Sequence, residues 1–250
     1  MLLKNQTSAA RALRLLLALS LLIAFASSCV LEQIRQQYAV EVVTEGQSWN
    51  EQGIASLAAA LDKLPDHVVG RLGNPHYGRL PQHVVDRLGN RYYARLRILQ
   101  NPGGVSSDGW QPYSEGANFY SNAGERNELV LLPKQGVRTI LHELGHAYQM
   151  REVPSDRYAW VFFQSEMREF MAATGWELLT TDEEVAAARS VAELSFAYSG
   201  PHLWDRMSNE DPAEDYANSF ALYFDDPAAL QRLSAERYDF IDTYVAHDDR

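Results

Sequence analysis

"TILHELGHAYQM", residues 139–150, places His142 and His146 four residues apart, with Glu143 directly after the first. On a helix each residue turns by about 100°. With His142 at zero, His146 falls at about 40° and Glu143 at about 100°, while Val137, Ile140, Leu141, Leu144 and Tyr148 fall between roughly 160° and 260°. The spacing predicts a helix with one packed side and one side presenting imidazoles. Cβ atoms four residues apart on a helix lie about 5–6 Å from each other, and from there two imidazole nitrogens converge on one Zn2+ at about 2.0–2.1 Å. Glu143 stands to the side, where it reaches a metal-bound water rather than the metal. This is the H-E-x-x-H arrangement, in which the glutamate is a general base. Gly145 sits inside this helix at a cost of about 1 kcal/mol relative to alanine, which implies a close approach at that point.

A catalytic zinc commonly has three protein ligands and one water, so a third ligand has to come from elsewhere. The metzincin extension, with Gly three and His six residues after the second histidine, is excluded, because Gln149 and Glu152 occupy those positions. The best candidate lies in "DPAEDYANSFALYF", residues 211–224. There Glu214, Asn218 and Ala221 share one helical stripe, and Tyr216, Phe220, Tyr223 and Phe224 face a core. Glu214 is then the third ligand, and Asn218, one turn on, hydrogen-bonds a ligating imidazole. A competing role exists for the same residue: Asp211 and Pro212 make a good N-cap and first-turn pair, after which Glu214 would close a capping box. Glu210, Asp211 and Asp215 are the alternative ligands.

"HELGH" followed at long range by "EDYANSF" resembles the gluzincin metallopeptidases, in particular the family of the anthrax lethal factor catalytic domain. The closing "LQRLSAERYDFIDTYV" at 230–245 is similar to the end of that domain, and the likeness spans about 80–250. The resemblance implies a zincin-like fold, peptide-bond hydrolysis, and Glu214 as the zinc ligand that opens the family's E-x-x-A/F-E-x-F helix. The chain departs from the family at two places. Asn218 stands where a second carboxylate is frequent, and Met207 stands where lethal factor has a tyrosine that steadies the transition state. Tyr198 and His202 are the candidate donors in its stead. "E-x-x-A-N-x-F-A", matched by Glu214, Ala217, Asn218, Phe220 and Ala221, also resembles the ImmA/IrrE-type regulatory peptidases, with the same zinc ligands. Outside peptidases, the rival readings are a non-catalytic envelope lipoprotein with a structural metal, and an interaction module with no metal.

Residues 1–28 carry Lys4, Arg11 and Arg14, no acidic residue, and the apolar run "LLLALSLLIAF" ahead of Ala26, Ser27 and Ser28, the order of a secretory signal. "FASSC" resembles the lipobox of bacterial lipoproteins, which makes Cys29, the only cysteine, a candidate for lipidation and rules out a disulfide within the chain. The expected location is the bacterial cell envelope or the exterior, with membrane contact only through such an anchor. Removing the signal takes three positive charges from a net charge of −11 and leaves −14, a poor surface for nucleic acid. The implied partner is a peptide or protein substrate.

The remaining pattern predicts an α+β fold: a small mixed sheet with the active-site helix, followed by a mostly helical C-terminal half. Residues 29–49 form an N-terminal segment and 50–250 a single zincin-like domain. Strands are expected at 38–44, 92–100, in "NFYSN" and in "NELVL" at 127–131, and helices at 50–63, 158–173, 182–190, 212–225 and 227–246. "NELVL" is expected to border the cleft and to pair with an extended substrate. "LPDHVVGRLGN" at 64–74 returns as "LPQHVVDRLGN" at 80–90, giving two short helices with His67 and His83 as surface positions.

Overall fold

The computed structural model describes residues 29–38, 40–43, 49–72, 96–100, 118–120, 128–131, 135–153, 158–188, 190–201 and 211–247. The signal, Met207, His202 and the second copy of the duplication lie outside these residues.

The fold is α+β, with a four-stranded mixed sheet and a helical C-terminal half. A helix over 29–38 (α1) precedes β1 (Glu41–Val42), α2 (Glu51–Leu61), α3 (Asp66–Leu72), β2 (Arg97–Gln100), β3 (Asn118–Tyr120) and β4 (Glu128–Leu131). The site helix α4 (Val137–Gln149) comes next, then α5 (Ser165–Thr174), β5 (Trp176–Leu178), α6 (Asp182–Ala187), β6 (Phe196–Tyr198), α7 (Pro212–Asp225), α8 (Pro227–Leu233) and α9 (Ala235–Ile241). The sheet order is β1-β2-β4-β3, with β1, β2 and β4 parallel and β3 antiparallel at one edge.

Four expectations are corrected by this arrangement. The strand expected over 38–44 shrinks to two residues, because Leu31, Ile34 and Tyr38 recur at helical spacing and bury a helical face instead. That face joins a core running from Leu31 to Val245, and β1 joins the sheet. The helix expected over 158–173 divides at Gln164, whose extended backbone (φ −69°, ψ 136°) separates a 3-10 stretch, Tyr158–Phe163, from α5. The helix expected over 227–246 breaks at Ser234, whose hydroxyl accepts from Arg237 N and starts α9 afresh. "NELVL" does not border an open edge: β4 is paired with β2 on one side and β3 on the other. Any added strand has to pair with an edge strand, and β3 is the one packed beside α4. The β5–β6 pair was not expected, since each strand is only three residues long.

The first copy of the duplication forms α3, which buries Val68, Val69 and Leu72. His67 is half-buried rather than a plain surface position, and its Nε2 lies 2.8 Å from the Val245 carbonyl.

Helices α4 and α7 pack against each other more extensively than any other pair of elements among the described residues. Ile140, Leu141, Leu144 and Tyr148, the side of α4 expected to pack, are fully buried. Gly145 sits where the two helices cross: a Cβ there would lie 3.1 Å from Ala217 Cα and 3.2 Å from Phe220 Cβ. The obstacles are backbone and Cβ atoms of α7, which move only if the helix moves. We expect Gly145→Ala to lose more from overpacking, about 1–3 kcal/mol, than the ~1 kcal/mol it gains in helix propensity. Thermal unfolding should show a midpoint lowered by a few degrees; an unchanged or raised midpoint would contradict the tight crossing.

Candidate metal centre

Helix α7 starts where the sequence placed it. Asp211 is its N-cap and accepts from Ala213 N at 2.8 Å and Glu214 N at 3.0 Å, with Pro212 in the first turn. Asp211 caps the Glu214 N–H, but the Glu214 side chain does not return to the Asp211 N–H to complete a capping box; it points across to α4 instead. Glu214 Oε2 lies 3.3 Å from His142 Nε2 and Oε1 lies 3.3 Å from His146 Nε2. The two Nε2 atoms are 3.2 Å apart. His142, His146 and Glu214 thus form a group whose ligand atoms fall within metal-binding distance. A tetrahedral ion holding ligands at about 2.0–2.1 Å has edges of roughly 3.3 Å, close to the Nε2–Nε2 separation and to the distance of each Nε2 from one of the two carboxylate oxygens.

The hydrogen bonding behind the histidines shows why a positive charge fits among these atoms. Gln149 Nε2 donates to the Ala213 carbonyl at 3.0 Å, so its Oε1 is the atom facing His146 Nδ1 at 3.0 Å. Nδ1 of His146 therefore carries the hydrogen and Nε2 presents a lone pair. Asn218 Oδ1 lies 2.9 Å from His142 Nδ1 and accepts from it in the same tautomer; Asn218 Nδ2 is buried and makes no hydrogen bond among the described residues. Two imidazole lone pairs and a carboxylate consequently converge within 3.3 Å, an arrangement that repels itself unless a cation or a proton lies among the three. Glu214 Oε2 is buried without a well-directed hydrogen bond, as expected of an atom aimed at a cation.

Electrostatics tell the same story from the side of the proton. Burial opposes the charged form of His146, yet the hydrogen bond and charge of Glu214, aided by Glu143 and Gln149, raise its pKa to about 9. Burial pushes the Glu214 carboxyl up, and the His142 and His146 imidazoles facing its oxygens more than reverse this, holding it well below the usual carboxylate range. A proton on His146 and a metal ion compete for the same lone pair, so metal affinity should fall on acidification.

Glu143 is buried on α4 beside the histidines, close enough for its charge to act on His146 and on Tyr158. Asn218 holds the position expected of it. The alternative ligands go elsewhere: Asp211 caps α7, and Asp215 pairs with Arg237. Glu210 and His202 lie outside the described residues. The Tyr198 hydroxyl donates to the Pro201 carbonyl and accepts from Arg237 Nη2 at 3.1 Å, which engages it in the network around Asp215. Cys29 is exposed at the start of the described residues and forms no disulfide.

Two residues next to the centre were not singled out by sequence. Gln149 was legible in principle, being three residues after His146 and therefore on the same helical face. Tyr158 was not, because it approaches from beyond α4; its hydroxyl lies 3.4 Å from His146 Nδ1. Burial, followed by the charges of Glu214, Asp211 and Glu143, raises the Tyr158 pKa, so the phenol keeps its proton at neutral pH.

Compared with known proteins, the chain matches no family model, and no curated protein matches it.

Proposed function

We propose that the protein is a zinc-dependent hydrolase of peptide bonds, with His142, His146 and Glu214 as metal ligands and Glu143 as general base. The observation that carries this reading is the convergence of three donors from two helices on one point, beside a buried glutamate that is not one of them. A closed structural zinc site has four protein ligands and needs no base. Among the described residues the group has three.

Zinc in such a site supplies a Lewis acid and lowers the pKa of its water to about 7. The protein's own groups do the rest. Asn218 and Gln149 hold the Nδ1 hydrogens, so that both Nε2 atoms face inward. Glu143 accepts the proton of the attacking water and passes it to the leaving amine. An extended substrate pairs with β3, the antiparallel edge strand beside α4. The signal-like pattern of residues 1–28, with an exposed Cys29 behind it, supports export and lipid attachment at that cysteine. No helix of the described residues is long and apolar enough to cross a membrane.

Metal analysis of purified protein tests the core of this proposal. Near-stoichiometric zinc is expected, vanishing in His146→Ala, and zinc addition should raise the thermal midpoint of the wild type but not of the variant. Wild-type protein that binds no divalent metal would remove the basis for the proposed chemistry.

A further inference from the structure

Gln149 is 2% exposed, and both ends of its amide are engaged. Its oxygen lies 3.0 Å from His146 Nδ1, and its nitrogen donates to the carbonyl of Ala213 at 3.0 Å. The amide cannot be turned over. Reversed, it would set its oxygen against the Ala213 carbonyl oxygen and lose the donor that carbonyl uses. Ala213 immediately precedes Glu214, so one side chain at the end of α4 contacts both an imidazole and the turn of α7 that delivers the carboxylate.

We propose that Gln149 is a positioning residue of the metal centre: it sets the tautomer of His146 and fixes the first turn of α7, so that Nε2 and the Glu214 carboxylate meet. The inference rests on the metal-binding reading above. Four consecutive parts of the site depend on this amide. The Nδ1 hydrogen has an acceptor, Nε2 keeps its lone pair inward, the imidazole ring is held against rotation, and the start of α7 keeps its distance from α4. A thioether of similar length would fill the space and provide neither hydrogen bond, and the apolar packing between α4 and α7 would stay in place.

The test uses the full chain with Zn2+ alone as probe, its affinity measured by competition with a chromophoric chelator. Gln149→Met is expected to weaken zinc binding about 10–100-fold, in line with the loss of partners behind metal-bound histidines, while the metal-free protein still folds, with a midpoint lowered by only a few degrees. A nitrogen NMR spectrum of the zinc-loaded wild type supplies a readout that does not depend on any variant folding. His146 should show a slowly exchanging Nδ1 hydrogen and metal on Nε2. Unchanged zinc affinity in Gln149→Met overturns the proposal, and so does a wild-type spectrum with zinc on Nδ1. Wild-type protein that takes up no zinc would defeat the functional reading itself; zinc bound equally by wild type and variant defeats only the role of Gln149.

Discussion

Glu143→Gln is expected to keep its zinc and to lose peptide hydrolysis by about 10²–10⁴-fold, the usual contribution of a positioned general base. The amide is nearly isosteric, so the buried position on α4 remains filled and the ligands on either side of it stay in place. What disappears is the ability to accept a proton. Zinc content and turnover of a peptide library, measured on the same preparation, separate the possibilities. Retained zinc with lost turnover fits a general base, whereas a site that serves only stability would keep its zinc and show no turnover in either protein. Turnover that survives the substitution would place the base elsewhere or end the hydrolase reading.

Arg237→Met should produce the largest loss of stability. Arg237 and Asp215 are each 1% exposed and meet through two bonds, Nε to Oδ1 at 2.8 Å and Nη2 to Oδ2 at 2.6 Å. Trp176 Nε1 donates to the same carboxylate at 2.7 Å, and Ser234 accepts from the guanidinium at 3.1 Å. Removing the arginine leaves a carboxylate in the core with only part of its charge compensated, a change that costs about 3–5 kcal/mol. For a chain of this length that corresponds to a thermal midpoint lower by roughly 6–20 °C. Replacing both partners by apolar residues should recover much of the loss, since the cost lies in the unpaired charge rather than in the absent pair. A single variant as stable as the wild type would contradict the burial of this pair. The effect should reach the candidate metal centre as well, because Asp215 directly follows Glu214 on α7 and anchors the side of that helix about 100° round from it.

The readable parts of the molecule were those governed by local spacing. Two histidines four apart, an apolar face on the far side, and an Asp-Pro start three residues before a glutamate are short-range signals, and α4, α7 and the trio of ligand atoms follow from them. The glycine at 145 was legible for the same reason: a residue so unfavourable in a helix announces a neighbour, which turned out to be Ala217 and Phe220. Long-range choices were not legible. Whether β4 lies inside the sheet depends on a strand pairing that alternation does not encode. Leu31, Ile34 and Tyr38 fit helical spacing only when the reading begins ahead of the β-rich run at 38–44. The breaks at Gln164 and Ser234 are single-residue events that helical periodicity passes over, and Tyr158 reaches His146 across a fold in the chain that no spacing rule describes.

The close crossing at Gly145 has a practical corollary. Because the imidazoles ride on one helix and the carboxylate on the other, slippage of a few tenths of an ångström along that seam misaligns the donors long before it unfolds anything. On the proposed metal-binding reading, zinc affinity would then be a sensitive gauge of core integrity: mild substitutions at Ala217, Phe220 or Tyr148 should register first as leaky metal retention, in proteins whose spectra and melting still pass for normal.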